Sequence, residues 1–470
     1  MSSTLRLFWE AAGGNVPEHW EFKTIDELLE HPKSISVGVM YPGSDTASGV
    51  PLIKVSDVKN GAIASRPSFC ISSKVDEEYR RTRLNGSELL LTLVGNPGDC
   101  VIVTDEMCGW NVARALAVIR LKDTQLRSWI RYVLASKPAQ HLIEARLNTT
   151  VQKTLNLKDV REIGIPIPPK EERDSITKII DSIEKKTLVN TQINQTLESI
   201  VQAIFKSWFI DFDPVRAKIA AKQEGKDPEL AAMCAISGKS EIEFKQMAED
   251  DFAELQATAA LFPDELVESE LGEVPKGWEV KALDRIASYQ NGLALQKFRP
   301  ENENEFLPIV KIAQLKSGIA TIEEKASPNI DAKSIIDNGD VVFSWSGSLV
   351  VDIWCGGKAA LNQHLFKVTS NQYPKWLYYY YTKHHLAEFQ RIAQAKAVTM
   401  GHIKREHLSQ ALCTVPCEKI LDASGILESV LQKQIKFRLE NNNLMKIRDA
   451  LLPKLLSGEI DVSGLQGEVA

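Results

Sequence analysis

Val16-Pro17-Glu18-His19-Trp20-Glu21-Phe22-Lys23 reads again 258 residues later as Val274-Pro275-Lys276-Gly277-Trp278-Glu279-Val280-Lys281. A repeat on this scale governs the architecture before any local element does, so the chain is read outward from this pair. Each copy is followed by a helix-like apolar pattern, with Ile25, Leu28 and Leu29 in the first and Leu283 and Ile286 in the second. Pro51-Leu-Ile-Lys54-Val55 answers Pro308-Ile-Val-Lys311-Ile312. Glu88, Leu89, Leu91 and Gly95 answer Asp340, Val341, Phe343 and Gly347. Asn111 is paired with Asn362, Trp129 with Trp376, and Val160, Ile163, Ile167 and Pro168 with Leu408, Ala411, Val415 and Pro416. Asn194, Leu197, Ile200 and Ile204 answer Asn441, Leu444, Ile447 and Leu451, by which point the shift has drifted to 247 while the order is unbroken. One unit of roughly 200 residues therefore occurs twice.

The first part of each unit reads as mixed α and β. Apolar runs bounded by Gly, Pro, Asn and Asp predict strands over 52–55, 89–94, 100–104 and 115–121, and an amphipathic pattern predicts a helix over 127–146. The second part changes character. From Lys170 to Phe209 there is no Pro or Gly, and apolar residues recur on a heptad. With Ile176 at position a, the expected seam is Ile176, Ile179, Ile183, Ile193, Leu197, Ile200 and Ile204, interrupted by Lys186 and Asn190. The same frame in the second copy gives Ile426, Val430, Phe437, Leu444, Ile447 and Leu451, interrupted by Lys433 and Glu440. Lys186 and Lys433 fall at the same position, so the two helices are expected to pair antiparallel about a pseudo-two-fold axis, with a globular part at each end of the rod.

The expected fold class is thus α+β: two similar mixed α/β domains separated by two long helices that pair as an antiparallel coiled coil. The expected boundaries are a first domain at 1–169, a first helix at 170–213, an acidic linker at 214–272, a second domain at 273–416, a second helix at 417–457 and a tail at 458–470.

Composition limits the function classes. The 470 residues are 44% hydrophobic and 25% charged, which is globular and argues against disorder or low complexity. The net charge of -6 is unevenly placed: residues 171–270 hold 21 acids and 11 bases, leaving 45 bases against 41 acids elsewhere. The flanks are therefore mildly basic. Seven scattered cysteines and the absence of paired CxxC motifs suggest neither a disulfide framework nor a zinc site, and a start without a basic leader or long apolar run predicts a soluble cytoplasmic protein. Catalytic signatures are missing. Gly238-Lys239-Ser240 has the tail of a phosphate-binding loop, but Met233 stands where its first glycine belongs. Glu243 and Lys245 downstream of Asp211 and Asp213 are the nearest approach to a magnesium nuclease, which is one alternative; a non-catalytic coiled-coil scaffold is the other.

A duplicated reader without an engine suits a bipartite duplex DNA target. Basic and amide side chains near loops and strand ends are the candidate contacts, since Arg and Lys pair with phosphate or guanine and Gln with adenine. In the first unit these are Lys54, Arg80, Arg81, Arg83, Arg114, Gln152 and Lys153; in the second, Lys297, Arg299, Lys311, Gln363, His364, Lys396, His402 and Lys404.

Several of these stretches together resemble one family. Ile165-Pro-Ile-Pro-Pro169, Asn190-x-x-Ile193-Asn194-x-x-Leu197-Glu198, Phe205-Lys-Ser-Trp-Phe-Ile-Asp-Phe-Asp-Pro-Val215, Ser269-Glu-Leu-Gly-Glu-Val-Pro-Lys-Gly-Trp278 and Asn362-Gln-His-Leu365 look like the specificity subunit of type I restriction-modification systems. The resemblance covers nearly the whole chain. It implies two target recognition domains reading the halves of a split site, helices that dock two modification (methyltransferase) subunits, and restriction/translocase subunits that join through them. It implies no catalysis and no cofactor on this chain, with S-adenosylmethionine, ATP and magnesium on the partners; the apolar runs, the longest near Leu89–Val94, are too short to predict a membrane span. Trp208, Phe209 and Phe212 are the candidate docking residues. Two departures stand out: Asn362-Gln363-His364 faces Asn111-Val112-Ala113 in the paired copy, and Pro169 is replaced by Cys417 ahead of a helix that is expected to start near Ile426.

Overall fold

A computed structural model describes residues 2–59, 61–63, 65–147, 153–395 and 401–462. The chain forms two compact units, Met1–Lys185 with Leu444–Ala470, and Lys186–Asn443. Each contains one mixed α/β domain and a stretch of both long helices.

The two units share one topology. In the first, strands Ile35–Val37, Leu116–Ile119, Leu89–Thr92 and Cys100–Ile102 lie side by side in that order; in the second, Ser288–Asn291, Leu365–Thr369, Val341–Ser344 and Val351–Ile353 do the same. Every residue of Leu89–Thr92 and Leu116–Ile119 is buried, as central strands covered on both faces require. A parallel pair sits beside each sheet, with Leu52↔Asn111 and Ile53↔Val112 in one unit and Ile309↔Ala360 and Val310↔Leu361 in the other. A third, two-stranded ribbon joins the repeat's opening motif to its closing one: Glu21–Thr24 runs antiparallel to Gly164–Ile167, and Glu279–Ala282 to Leu412–Val415. Pro166 is tolerated there because a two-stranded ribbon leaves its missing donor on an edge.

One expected helix is divided. The 127–146 pattern forms Arg127–Ala135 and Lys137–Glu144, parted at Ser136, whereas its counterpart Lys375–Ala395 is continuous. Pro138 supplies no donor and enforces a new first turn.

The long helices run over Lys170–Phe209 and Gly425–Leu456, the latter preceded by a short helix, Glu418–Ala423. They pair antiparallel, but half of the expected seam is displaced by one residue. In the first helix the inward rows are Ile176, Ile183, Asn190 and Leu197 with Ile180, Thr187, Asn194 and Val201; Ile179 is only partly buried, and Ile193 and Ile200 are exposed. In the second, Leu427, Gln434, Asn441 and Leu455 join Val430, Phe437, Leu444 and Leu451, while Ile426 and Ile447 face solvent. The adjacent pairs Ile179/Ile180 and Ile200/Val201 leave the row undetermined by hydrophobicity; the polar contacts across the pair decide it.

Those contacts obey a local two-fold rule. Asn194 Nδ2 donates to Gln434 O (3.2 Å) and Asn441 Nδ2 donates to Thr187 O (3.1 Å), and each partner lies 247 residues from its counterpart. Fully buried Asn190 adds bonds to Glu440 Oε2 (3.0 Å) and Asn441 Oδ1 (2.9 Å), and Gln434 Nε2 donates to Glu198 Oε2 (3.0 Å). Lys186 is half exposed and pairs with Glu440 (3.5 Å), and Lys433 is exposed, so the lysines flank the seam and the amides interrupt it. Buried polar groups at such positions fix register at some cost in stability.

Each helix ends in the core of one mixed α/β domain. Phe209 is fully buried against Trp278 (ring centroids 5.8 Å) and Trp376 (5.2 Å), and Thr414 Oγ1 donates to its carbonyl (2.8 Å). Leu455 and Leu456 share the other core with Trp20 and Trp129. Trp208, Phe209 and Phe212 are therefore core residues and not a docking surface, because the indole and phenyl rings close the domain that follows. The stretch expected to be an acidic linker is helical, with Asp213–Gln223, Pro228–Ser237, Glu241–Phe244 and Glu249–Leu261 gathered partly around Met233, Phe244 and Ala259.

Candidate nucleic-acid interface

In each unit three loops meet at one end of the four-stranded sheet. The first follows Leu89–Thr92 or Val341–Ser344. A hydroxyl at the strand end clamps it: Thr92 Oγ1 donates to Asn96 O and accepts from Asp99 N (2.9 Å), while Ser344 Oγ donates to Ser348 O (2.7 Å) and accepts from Val350 N (2.9 Å). Gly95 and Gly347 carry φ of 88° and 66° in these turns, a region glycine enters freely. The second loop is the turn into Leu116–Ile119 or Leu365–Thr369, held by Leu116 N to Ala113 O (3.0 Å) and Leu365 N to Asn362 O (3.0 Å). The third is the segment at 153–155 or 401–403, bridged to the first by Val94↔Thr154 and Ser346↔His402. Leu155 N donates to Leu93 O (2.8 Å) and Ile403 N to Trp345 O (2.9 Å).

A glycine makes the second loop's close approach feasible in both units. A Cβ on Gly38 would lie 2.1 Å from Val112 O, and one on Gly292 would lie 2.2 Å from Leu361 O. The repeated Gly in Val37-Gly38-Val39 and Asn291-Gly292-Leu293 is the signal that locates this approach, and the sequence reading passed over it.

The hydrogen bonds also correct the pairing of the copies. Ala113 N donates to Ile53 O (2.8 Å) as Asn362 N donates to Val310 O (3.1 Å), so Ala113, not Asn111, matches Asn362. Arg114 consequently stands where Gln363 does, and Ala115 where His364 does. Asn111 serves the core instead: its amide bonds Thr82 Oγ1 and buried Asp76 Oδ1.

The candidate contacts divide by position. Arg114 is exposed at the first unit's loop mouth, with its backbone N on Val39 O (2.9 Å) and its guanidinium 3.9 Å from Met40 Sδ. Lys153 is exposed beside the Val94↔Thr154 bridge. At the second mouth Trp345 packs against His364 (5.7 Å between rings) and His402 (6.5 Å), and its indole N–H donates to Gln363 O (3.2 Å). Gln152 and Lys396 lie outside the described residues. The rest are set elsewhere. Lys54 caps a short helix with its ammonium 3.5 Å over the Phe69 ring. Arg80 pairs with Glu77 (3.6 Å), and Arg81 is exposed, with its carbonyl taken by Arg120 (2.8 Å). Arg83 is committed to Asp76 and Glu77, whose carboxylates hold its guanidinium above the ordinary pKa, so it is a strut of the domain and not a free contact. Lys311 pairs with Glu324 and Lys404 with Glu406 (3.4 Å), while Lys297 and Arg299 are exposed on the loop after Gly292.

The family described as the type I restriction modification DNA specificity domain matches this chain twice, at residues 17–199 and 275–441. The chain belongs to that specificity family. It is 31% identical over 338 residues to the HindI specificity subunit of Haemophilus influenzae, spanning 68% of this chain and 73% of the relative. It is 24% identical to the MjaIX specificity subunit of Methanocaldococcus jannaschii, spanning 97% of each. The crystal structure of an S subunit from M. genitalium covers 93% of this chain, and this chain covers 96% of it, at 13% identity and a TM-score of 0.49.

As a specificity subunit the chain selects sequence and is not itself the enzyme. The nuclease alternative meets a plain structural answer: Glu243 closes a capping box with Ser240, its Oε2 accepting from Ser240 N (2.8 Å) and Oγ (2.7 Å). Among the described residues no group of three or more His, Cys, Asp and Glu is placed to hold a metal ion, and no helix is long and apolar enough to cross a membrane.

Proposed function

We propose that each loop mouth reads a few base pairs of one half of a split duplex target. The observation that carries this is the recurrence of the mouth: the same clamp, the same close glycine and the same bridge, with different side chains presented at the tip. A fixed frame with variable tips is what two-part sequence reading requires. Lysines and arginines around the mouths supply salt-dependent affinity for phosphate. The helix pair sets the unread gap between half-sites. Seven residues inserted in each helix add about 10.5 Å of helix, or about three base pairs, so the same half-sites should return with a longer gap.

Two modification subunits dock on the outward helical faces and carry S-adenosylmethionine for adenine methylation. Restriction/translocase subunits with ATP and magnesium join through them in the cytoplasm. Val189, Ile193 and Ile200 form an exposed apolar stripe on the first long helix and support that docking face. The test is selection from randomised duplex DNA by the chain complexed with its modification subunit: a split motif is expected, and enrichment of no split motif refutes the reading.

A further inference from the structure

Four of the matched positions at which the two mouths differ are coupled. In the second unit Ser346 Oγ lies 2.9 Å from His364 Nδ1, the Gln363 amide nitrogen lies 3.3 Å from His364 Nε2, and Trp345 packs at a tilt of 41° against the imidazole. In the tautomer with its proton on Nδ1, His364 donates to Ser346 and accepts from Gln363. That chain uses one N–H of half-buried Gln363; among the described residues its side-chain carbonyl oxygen and second N–H have no hydrogen-bond partner, which leaves one acceptor and one donor. In the first unit Val94 stands for Ser346, Leu93 for Trp345 and Ala115 for His364, as the shared bridge and the Leu93 N–Ala115 O (2.8 Å) and Trp345 N–His364 O (3.3 Å) bonds establish. The relay is gone, and so is the amide that needed it, for Arg114 takes the place of Gln363. Among the described residues no carboxylate lies in ion-pair range of its guanidinium, which is a planar fork of donors that needs no tautomer set behind it.

We propose that Arg114 and Gln363 are the equivalent base-reading positions of the two half-sites, Arg114 selecting guanine and Gln363 adenine, with His364 and Ser346 as positioning residues for the Gln363 amide. Guanine presents two acceptors, N7 and O6, to a donor fork; adenine presents N7 and an N6 donor to a carboxamide. The inference rests on the loop mouths facing DNA.

The test uses the full chain in complex with its modification subunit and a duplex library randomised across both half-sites. R114Q is expected to abolish one guanine preference in one half-site, with no more than a weak adenine preference in its place because Val94 and Ala115 put no relay behind the new amide, and to leave the other half-site untouched. Q363R is expected to change one adenine to guanine in the other. R114A should flatten the same guanine preference by about 5- to 150-fold. H364A should weaken the adenine preference at the Q363R position while the Arg114 position is unchanged. Arg114 is exposed, so its variants should keep the parental melting temperature. Parental motifs from both R114Q and Q363R, with affinity lowered alike on every sequence and a shallower salt dependence, would make these phosphate contacts and overturn the proposal. Absence of any split motif with the parental chain would instead overturn the DNA-facing reading beneath it.

Discussion

Asn194 and Asn441 are symmetry mates that do unequal work, which gives a sharp prediction. Removing Asn441 with Ala deletes its bonds to Thr187 O (3.1 Å) and Thr191 Oγ1 (3.1 Å) and the acceptor for Asn190 (2.9 Å). At about 1 kcal/mol for each bond the cost is about 3 kcal/mol. Removing Asn194 deletes one bond, to Gln434 O (3.2 Å); its Oδ1 is buried without a partner among the described residues, so no second bond is lost. That cost is about 1 kcal/mol. The difference of about 2 kcal/mol corresponds to about a 30-fold difference in local opening. Hydrogen exchange at the amides of residues 187–198 in the full chain measures it: N441A should exchange faster than N194A by that factor. Equal acceleration, or the larger effect in N194A, refutes the unequal bonding on which the figure rests.

Gly38→Ala and Gly292→Ala should each cost about 1–3 kcal/mol in unfolding experiments, since a Cβ meets a carbonyl oxygen, while Gly425→Ala, with open space around it, should be neutral or stabilising. His385 is held neutral by burial, with its pKa lowered to about 4 and its Nε2 3.1 Å from Leu412 O. The unfolded chain binds the proton more readily, so stability is full above the ordinary histidine range. It falls by about 3 kcal/mol as pH drops from about 6.5 to about 4. Urea titrations across that window should show the loss, and His385→Gln should flatten it. Leu455→Ala with Leu456→Ala should lower protection of the strand holding Phe22, near the other end of the chain, and leave Val341–Ser344 unaffected; loss in the second unit instead would refute the core assignment.

The repeat and its Trp anchors were legible because they are side-chain identities at matched spacing, and the central strands because fully apolar runs have few other homes. The second seam row was not, since Ile179 beside Ile180 and Ile200 beside Val201 satisfy two periodicities equally, and the deciding amides act through bonds to another helix. The match of Asn111 to Asn362 failed for a related reason: strand register is written in backbone bonds, and a shared asparagine outweighed them in the letters alone. The burial of Trp208, Phe209 and Phe212 was misread because an aromatic cluster at a helix end looks the same whether it closes its own protein or invites another.

The swap by which each stalk finishes in a core also contains a matter of timing. The first domain's hydrophobic interior includes Leu455, Leu456 and Val462, which the ribosome makes only after the whole of the second domain. At about 5–20 residues per second, the nascent N-terminal domain waits on the order of 15–60 s with its tryptophan pocket unplugged, while the second receives its plug in advance. A chaperone, or caution in overexpression, has its natural point of entry there.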